Sequence, residues 1–356
     1  MNPLISVCIP AYNRARHLPA LLDSILSQTF RNYEIVVCED KSPERDEIRR
    51  IVGDYERLRP GVIKYFENEA NLGYDANLRN LFAKATGEYC FIMGNDDLMS
   101  PGALDVCAKA LTCYPNIGVL IRSYAWFTRD SSKLDQVVRY FDGERFFGAG
   151  PETVVTFYRR VGAVSGIVIR RDAANKLGTE KYDGTVYYQM YLVANILLDF
   201  NGVYVPDVTV LCRNSEPPDF GNSVSEKTEF TPGSFSPSSR IHMIKSVFYI
   251  AKSVEVDRKV PIYSAIVSDF GNYSYPILAY HADQPINVFY RYYIDLAKLG
   301  LWANPLFHFY FLGLLFLGKD RANNFMAYLR GKFRYTPVIG RISRGLPVGV
   351  NKSEGA

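Results

Sequence analysis

The stretch that decides the fold is Tyr89-Cys90-Phe91-Ile92-Met93-Gly94-Asn95-Asp96-Asp97, an apolar run that ends in two adjacent acids. A short apolar run of this kind predicts a buried strand, which places the acids at its carboxyl end. Open α/β sheets bind ligands at that edge. Because adjacent carboxylates repel each other unless a cation or a donor offsets their charge, the stretch favours a divalent metal site. An Asp-rich turn that caps the next helix is the alternative.

Strand-like and helix-like segments alternate around this stretch. Apolar, β-rich runs occupy residues 4–9, 33–38, 62–66, 89–93 and 117–122, and helical spacing occupies 18–26, 45–55, 76–85 and 103–114. This alternation predicts an α/β fold with a mostly parallel sheet that helices cover on both faces. Strands near 164–170 and 203–211 and a helix near 186–198 extend it. Residues 213–239, rich in Pro, Ser, Gly and Asn, predict a long mobile loop that is either a lid or an interdomain linker.

The C-terminal third has a different composition, so we divide the chain into a domain of residues 1–225 and a helical region of residues 226–356. Residues 299–317 are apolar and aromatic, but Asn304, Pro305 and His308 interrupt them, so they fall short of the ~20 apolar residues of a membrane span. Basic residues follow almost without acids: Arg321, Arg330, Lys332, Arg334, Arg341 and Arg344. The combination predicts a helix in a membrane interface that anionic lipid attracts. A buried helix pair with a solvated basic tail is the alternative.

Composition excludes several classes of protein. A net charge of +4 on 356 residues is too small to indicate nucleic-acid binding. The six cysteines form no C-x-x-C pair, which predicts reduced thiols in a cytoplasmic protein. The chain starts directly with a strand and without a basic region before an apolar core, so no secretory signal is expected. There is no G-x-G-x-x-G after the first strand and no P-loop motif, which disfavours dinucleotide and P-loop chemistry.

Three predicted loops leave the sheet on its carboxyl edge. In the first, Pro10 should end the strand and Tyr12 can offer its ring to a flat base. In the second, Asp40 can accept a hydrogen bond from a base N–H. The third holds Asp96 and Asp97. Together the loops predict a stacking ring, a base-edge acceptor and a metal site on one rim.

The chain resembles glycosyltransferase family 2, the inverting nucleotide-sugar enzymes with the A-type fold, over about residues 3–210. The segments that carry the resemblance are Ser6-Val7-Cys8-Ile9-Pro10-Ala11-Tyr12-Asn13-Arg14, Val36-Val37-Cys38-Glu39-Asp40-Lys41-Ser42, Asn71-Leu72-Gly73, Ala85-Thr86-Gly87-Glu88-Tyr89 and Asn95-Asp96-Asp97. The pattern is closest to bacterial O-antigen and capsule transferases, including abequosyltransferase-like proteins.

The resemblance implies roles for individual residues. Tyr12 would stack on the nucleobase and Asp40 would accept its N–H. Asp96 would contact the ribose or the sugar, and Asp97 would bind Mn²⁺ or Mg²⁺ between the two phosphates. The remaining residues implied in donor binding are Pro10, Asn13, Arg14, Asn71 and Arg79.

The chain departs from the family's pattern at several places. Asn95 stands where the metal motif begins with Asp, Glu39 begins the acidic turn, and Arg79 is out of step with the Arg that contacts the base. The acidic pair that usually supplies the general base is absent. Asp183 is the candidate base, although an Asp before Gly is as easily a turn residue. His242 is a candidate metal ligand, and Arg213 a candidate phosphate clamp.

The resemblance implies a metal-assisted, inverting transfer of a hexosyl or deoxyhexosyl group. The donor would be a nucleoside diphosphate sugar, and the acceptor a hydroxyl of a lipid-linked glycan in surface polysaccharide synthesis. The protein would act peripherally on the cytoplasmic face of the inner membrane. A catalytically inactive nucleotide-sugar or glycan binding protein of the same fold is the alternative.

Overall fold

The computed structural model describes residues 2–333 and 346–347, and its strands form one sheet. The strand order is β11-β8-β10-β6-β9-β4-β1-β2-β3, with β5 beside β10 and β7 beside β6. The strands are β1 Ile5–Ala11, β2 Tyr33–Glu39, β3 Ile63–Glu67, β4 Tyr89–Ile92, β5 Leu98–Met99, β6 Ile117–Phe127, β7 Gln136–Val138, β8 Arg145–Phe147, β9 Val168–Arg170, β10 Asn201–Arg213 and β11 Leu346–Pro347.

The predicted α/β fold is confirmed, and its longest strand pairings are parallel, although shorter antiparallel strands make the sheet mixed. The strands β1 to β4 run parallel to one another, as do β6 and β10. Between these two groups, β9 is antiparallel to both β4 and β6. A strand that is buried on both faces has the same apolar run in either direction, so the sequence pattern does not reveal this reversal.

The helices cover both faces of the sheet. They are α1 Leu18–Leu26, α2 Arg45–Leu58, α3 Tyr74–Lys84, α4 Ala103–Cys113, α5 Pro151–Tyr158, α6 Arg171–Lys176, α7 Tyr188–Asp199, α8 Pro237–Arg258, α9 Tyr263–Asn272, α10 Tyr275–Ala279, α11 Ile286–Lys298, α12 Pro305–Leu317 and α13 Lys319–Phe333. Side chains alternate along each strand, so Val7 and Ile9 join the apolar layer of α1, α2 and α4, whereas Cys8 joins that of α3, α5 and α7. This second layer continues without a break into the core of α8 to α12.

One expected strand end is wrong, because Pro10 lies inside β1. That strand stays paired with β2 as far as Ala11, whereas its pairing with β4 ends at Cys8. Ala11 accepts a bond from Asp40 N–H on the β2 side, so the nitrogen of Pro10 points to the other side, where β4 has ended. A proline is tolerated there because no ladder bond needs its missing N–H.

The C-terminal region is helical, as expected, with two differences in detail. The predicted helix over 262–280 is two helices, α9 and α10, and the apolar segment 299–317 is a short 3₁₀ turn, Leu301–Ala303, followed by α12. Within the described residues, no helix has both the length and the apolar character that a membrane crossing requires. The domain boundary at residue 225 stays a prediction. All six cysteines are free, and Cys113 is exposed while the others are buried.

Candidate active site

The loops that carry the predicted site leave the sheet at one edge because β1, β2 and β4 are parallel and in register. Ala11 pairs with Glu39, and Cys8 pairs with Ile92. The chain therefore emerges at Tyr12, Asp40 and the Asn95-Asp96-Asp97 turn on the same rim. Parallel strands with different connections bring together residues that are far apart in sequence.

The two adjacent acids of this turn are buried, and each is only 8% exposed. Asp97 accepts hydrogen bonds from the Ser165 hydroxyl and from the Arg213 N–H, the latter at 2.8 Å. Asp96 accepts one from Arg14 at 2.8 Å. Burial, and after it the charge of Asp96, raise the pKa of Asp97 to about 7, and burial also raises the pKa of Asp96. The pair therefore gains from a cation that offsets its repulsion.

Asn95 holds the first loop in place instead of extending the acidic pair. Its amide nitrogen donates to the carbonyl oxygens of Asn13 at 2.9 Å and Tyr12 at 3.3 Å. Asn13 and Arg14 both have left-handed backbone angles, with φ of 50° and 61°. Because two consecutive left-handed non-glycine residues are strained, the bonds from Asn95 stabilise a turn that the backbone alone disfavours.

Asp40 is almost fully buried and binds the backbone of the next loop. Its carboxylate accepts the N–H groups of Leu72 and Gly73, both at 2.9 Å, and the amide of Asn68 at 2.8 Å. Burial raises the pKa of Asp40 against the effect of these bonds. Asn71, in the same loop, accepts the Gly73 N–H at 3.1 Å. Burial, and after it the negative charges of Asp219 and Asp40, raise the pKa of Tyr12, so the predicted stacking ring lies near the predicted base reader.

Glu39, the departure before Asp40, is a structural residue in this fold. It is completely buried and accepts the N–H groups of Lys41 and Ser42 at the turn into α2. Its other partner is the guanidinium of Arg45. A carboxylate at this position satisfies backbone donors of the turn between β2 and α2, which are otherwise left without a partner.

The structure joins Arg79 to Asp183 in a two-pronged ion pair. The two nitrogen–oxygen distances are 2.7 and 2.9 Å, and Arg79 also donates to the carbonyl oxygen of Thr179. The described partners of Arg79 are therefore in the segment that precedes α7, and they do not include Asp40 or Tyr12. The assignments of Arg79 to donor binding and of Asp183 to the base stay predictions. Because the two side chains are paired, a change in either one affects the other.

The contacts of His242 are with a different part of the chain from Asp97. Its Nδ1 lies 3.0 Å from a carboxylate oxygen of Glu229, and its Nε2 lies 3.3 Å from the carbonyl oxygen of Gly184. Both ring nitrogens are thus engaged away from the acidic pair, so we leave His242 out of the candidate metal site. Among the described residues, no group of three or more His, Cys, Asp or Glu side chains could hold a metal.

Sequence reasoning missed a buried acid at the start of α3. Asp75 is 1% exposed and accepts the N–H groups of Val186 at 2.8 Å and Tyr188 at 2.9 Å. Burial raises its pKa to about 7. Val186 has φ of 58°, a strained value for a β-branched residue, so Asp75 clamps the segment that carries Asp183. The sequence did offer a signal for Asp75, because it is an acid in the first turn of α3 that comes soon after Asn71-Leu72-Gly73.

We also missed three acids in the loop after β10, because we considered this loop only as a lid or a linker. The three are Glu216, Asp219 and Glu226. They bind Asn13, Arg14, Arg16, His17 and the backbone of Tyr74. Arg213, at the beginning of the loop, donates its Nε–H to the carbonyl oxygen of Asp96 and lies over the Phe127 ring. The loop therefore contacts the candidate site along most of its rim.

In sequence, this chain resembles known proteins over part of its length. Residues 6–178 match the family model described as Glycosyl transferase family 2. Abequosyltransferase RfbV of Salmonella typhimurium is 35% identical over 114 residues, which cover 32% of this chain and 34% of that protein. A putative glycosyltransferase of Bacillus subtilis, EpsE, is 35% identical over 104 residues, or 29% of this chain and 37% of that protein. The chain spans about a third of the length of these curated relatives.

Solved structures resemble it over nearly its whole length, at low identity. Residues 1–349 of TarS from S. aureus, solved in complex with UDP-GlcNAc, have a TM-score of 0.58 and 14% identity over 96% of this chain and 98% of that chain. The mannosyltransferase PcManGT from Pyrobaculum calidifontis, solved with GDP-Man and Mn²⁺, has a TM-score of 0.52 and 18% identity over 95% of this chain and 82% of that chain. The chain has the A-type glycosyltransferase fold, and its residues 6–178 match the model of glycosyltransferase family 2.

Proposed function

We propose that the protein transfers a hexosyl or deoxyhexosyl group from a nucleoside diphosphate sugar to a hydroxyl of a glycan, with inversion. The observation that carries the proposal is the convergence of Tyr12, Asp40, Asp96 and Asp97 on one rim of the sheet. The relatives support glycosyl transfer, and TarS and PcManGT were solved with nucleotide sugars.

The acidic pair is suited to a divalent cation, Mn²⁺ or Mg²⁺. Asp96 and Asp97 offer oxygen atoms, which hard cations prefer. Their mutual repulsion disfavours the ionised form of both carboxyls, and a nearby positive charge offsets this repulsion. We assign Asp97 to hold the ion and Asp96, beside it, to contact the ribose or the sugar. When bound, it would neutralise the charge that develops on the diphosphate leaving group.

The remaining rim residues bind and orient the donor in this proposal. Tyr12 stacks on the nucleobase, and Asp40 keeps the backbone of Leu72 and Gly73 around it while accepting a base N–H. Arg14, next to Asp96, attracts the negatively charged diphosphate. Pro10, Asn13 and Asn71 shape the same pocket.

The acceptor hydroxyl needs a base on the face opposite the leaving group, and we assign Asp183 to this role. The strained segment that carries Asp183 is clamped by Asp75, which supports a fixed position for the carboxylate. Arg79 orients the Asp183 carboxylate in the ion pair. It also occupies the carboxylate oxygens that would accept the proton of the acceptor hydroxyl.

We propose a lipid-linked acceptor in surface polysaccharide synthesis, at the cytoplasmic face of the inner membrane. The support is an exposed apolar face on the last helices: Phe309, Leu312 and Phe316 follow helical spacing on α12, and Trp302 lies just before it. The basic residues after α12 favour anionic lipid. Those from Arg334 onward lie outside the described residues.

A binding protein without catalysis is the second candidate, because the Asp183 carboxylate is already paired with Arg79. A release assay separates the two functions. The whole protein is incubated with Mn²⁺ and, in turn, UDP-, dTDP-, GDP- and CDP-sugars, with and without a glycan acceptor, and free nucleoside diphosphate is measured. Acceptor-dependent release from one donor is the expected result. Binding of a donor without any release favours the second candidate, and neither binding nor release contradicts both.

A further inference from the structure

The loop after β10, residues 214–229, carries three carboxylates that bind groups on the rim of the donor site. Asp219 contacts the side chains of Arg14 and Asn13, and Glu216 contacts those of Arg16 and His17. Glu226 contacts backbone N–H groups instead. The two kinds of contact have different consequences.

Each nitrogen of the Arg14 guanidinium faces an acceptor, and the acceptors come from two parts of the chain. Its Nε lies 3.0 Å from Asp219, one terminal nitrogen lies 2.8 Å from Asp96, and the other donates to the carbonyl oxygen of Pro217. A phosphate oxygen that binds this guanidinium therefore competes with the loop acceptors for its N–H groups. It must also approach the negative charge of Asp219, which opposes it.

Glu216 has the same relation to the two basic residues that follow Arg14. One of its oxygens lies 2.6 Å from Arg16, and the other lies 2.9 Å from His17 Nε2. All three basic side chains between β1 and α1 are therefore matched by carboxylates or carbonyls of one loop. A diphosphate would seek the same donors, since phosphate and carboxylate oxygens accept from guanidinium in the same way.

The rest of the loop is attached firmly, so the competing acids are held near their partners. Glu226 is 3% exposed and accepts the N–H groups of Tyr74 at 2.8 Å and Gly221 at 3.0 Å. Side chains of the loop pack against Gly73 and its backbone packs against Gly184, and the two glycines have φ of 85° and 87°. A Cβ at Gly73 would be 2.6 Å from the Ser223 hydroxyl oxygen, and one at Gly184 would be 2.4 Å from the carbonyl oxygen of Ser225. Neither position has room for a side chain.

We propose that this loop is an autoinhibitory lid, in which Asp219 and Glu216 compete with the donor's diphosphate for Arg14, Arg16 and His17. Glu226 keeps the lid docked, and the two competing acids are the part that the donor displaces. The inference rests on the proposed function, because it takes the diphosphate to bind beside Arg14. It predicts that removing a native ion pair strengthens ligand binding, whereas the loss of a native contact usually weakens it.

The test measures the dissociation constants of UDP, dTDP, GDP and CDP with Mn²⁺ by calorimetry on the whole protein. The variants are Asp219→Asn, Glu216→Gln and the pair together, with Asp219→Glu to keep the charge. Glu229→Gln is the matched control, because Glu229 is in the same loop but pairs with His242. We expect each neutral variant to lower the dissociation constant about fivefold, which corresponds to one partly exposed ion pair. The control and Asp219→Glu should bind like the wild type.

Tightening in either neutral variant, absent from Glu229→Gln, supports the inference. Unchanged or weaker binding in both neutral variants, with melting temperatures like the wild type, overturns it and leaves the proposed function standing. If no diphosphate binds the wild type or any variant, the proposed function fails instead. Should Asp219→Asn melt early, Glu216→Gln decides alone, because its side chain lies at a separate contact.

Discussion

Asn95 donates from its side-chain amide to the carbonyl oxygen of Asn13 at 2.9 Å, and so ties the acidic turn after β4 to the loop after β1. A carboxylate in its place has no hydrogen to donate and would face two carbonyl oxygens. Asparagine at the first position of the metal motif therefore has a structural role in this protein.

Asn95→Asp, which restores the family's usual acid, should weaken the protein. We expect the free energy of unfolding to fall by about 1–3 kcal/mol, because two buried acceptors lose their donor and meet a negative charge. Donor affinity should fall as well, since the loop of Asn13 and Arg14 loses its support. Urea denaturation and calorimetry measure the two effects. A variant that is as stable as the wild type and binds Mn²⁺ and donor more tightly would show that the position is a metal ligand.

Asp97→Asn should abolish transfer, because the proposed cation-binding carboxylate is lost. The expected fall in turnover is at least about a hundredfold, the usual scale for losing a preorganised charge at a leaving group. Diphosphate release with Mn²⁺ measures it, and chelation by EDTA should do the same to the wild type. The control is Asp130→Asn, a change at an exposed acid in the loop after β6. Full activity in both variants, unaffected by EDTA, would refute the metal role.

The raised pKa of Asp97 predicts how stability depends on pH. Between about pH 4 and 7 the folded protein keeps a proton on this carboxyl that the unfolded chain has released. The folded state then binds more protons, so the contribution to stability falls as pH rises through this range, by up to about 1.4 kcal/mol per pH unit. Above pH 7 the contribution is constant.

Urea denaturation between pH 4.5 and 8 without divalent ions, at about half-unit steps, measures this dependence. Other carboxyls titrate as well, so the informative quantity is the difference between the wild type and Asp97→Asn, in which the slope is reduced. Mn²⁺ should restore stability at pH 8, because it binds the ionised pair. Equal slopes in the two proteins would mean that Asp97 titrates normally.

The ion pair between Arg79 and Asp183 allows the base to be tested against a structural role. Asp183→Asn and Arg79→Gln both break the pair, but only the first removes the carboxylate. If Asp183 is the base, its variant should lose about 10²–10⁴-fold in turnover with donor affinity unchanged, and Arg79→Gln should lose much less. Equal losses of turnover in the two variants would assign the carboxylate to the ion pair alone. Steady-state kinetics and donor calorimetry give both quantities.

The exposed face of α12 predicts binding to anionic vesicles. Replacing Phe309 and Phe316 by serine should reduce sedimentation with phosphatidylglycerol vesicles at least about tenfold, because each ring stops contributing apolar area to the lipid. Leu58→Ser is the control, since Leu58 is also exposed but lies on α2. Undiminished sedimentation of the double variant would place the membrane contact elsewhere, and no sedimentation of the wild type would contradict the proposal.

Much of the fold was predictable because the first 122 residues alternate clearly between two periodicities. The α1 segment was predicted residue for residue, and the strands before the site within two residues. The direction of β9 and the position of Pro10 inside β1 were not, since both depend on which strand lies alongside. The local sequence pattern does not show which strand lies alongside another or in which direction that strand runs.

The amino-acid sequence by itself determined that the candidate site residues share one rim of the sheet. The acids and Tyr12 directly follow strands, and the carboxyl ends of parallel strands meet at one edge. Only the tertiary structure decided the partners of these side chains: Asn95 with the Asn13 loop, Asp75 with Val186, and the acids after β10 with Arg14, Arg16 and His17. Contacts of this loop join residues up to 206 positions apart, as between Asn13 and Asp219. Spacing along the chain has no bearing on contacts between segments that meet only when the core has formed.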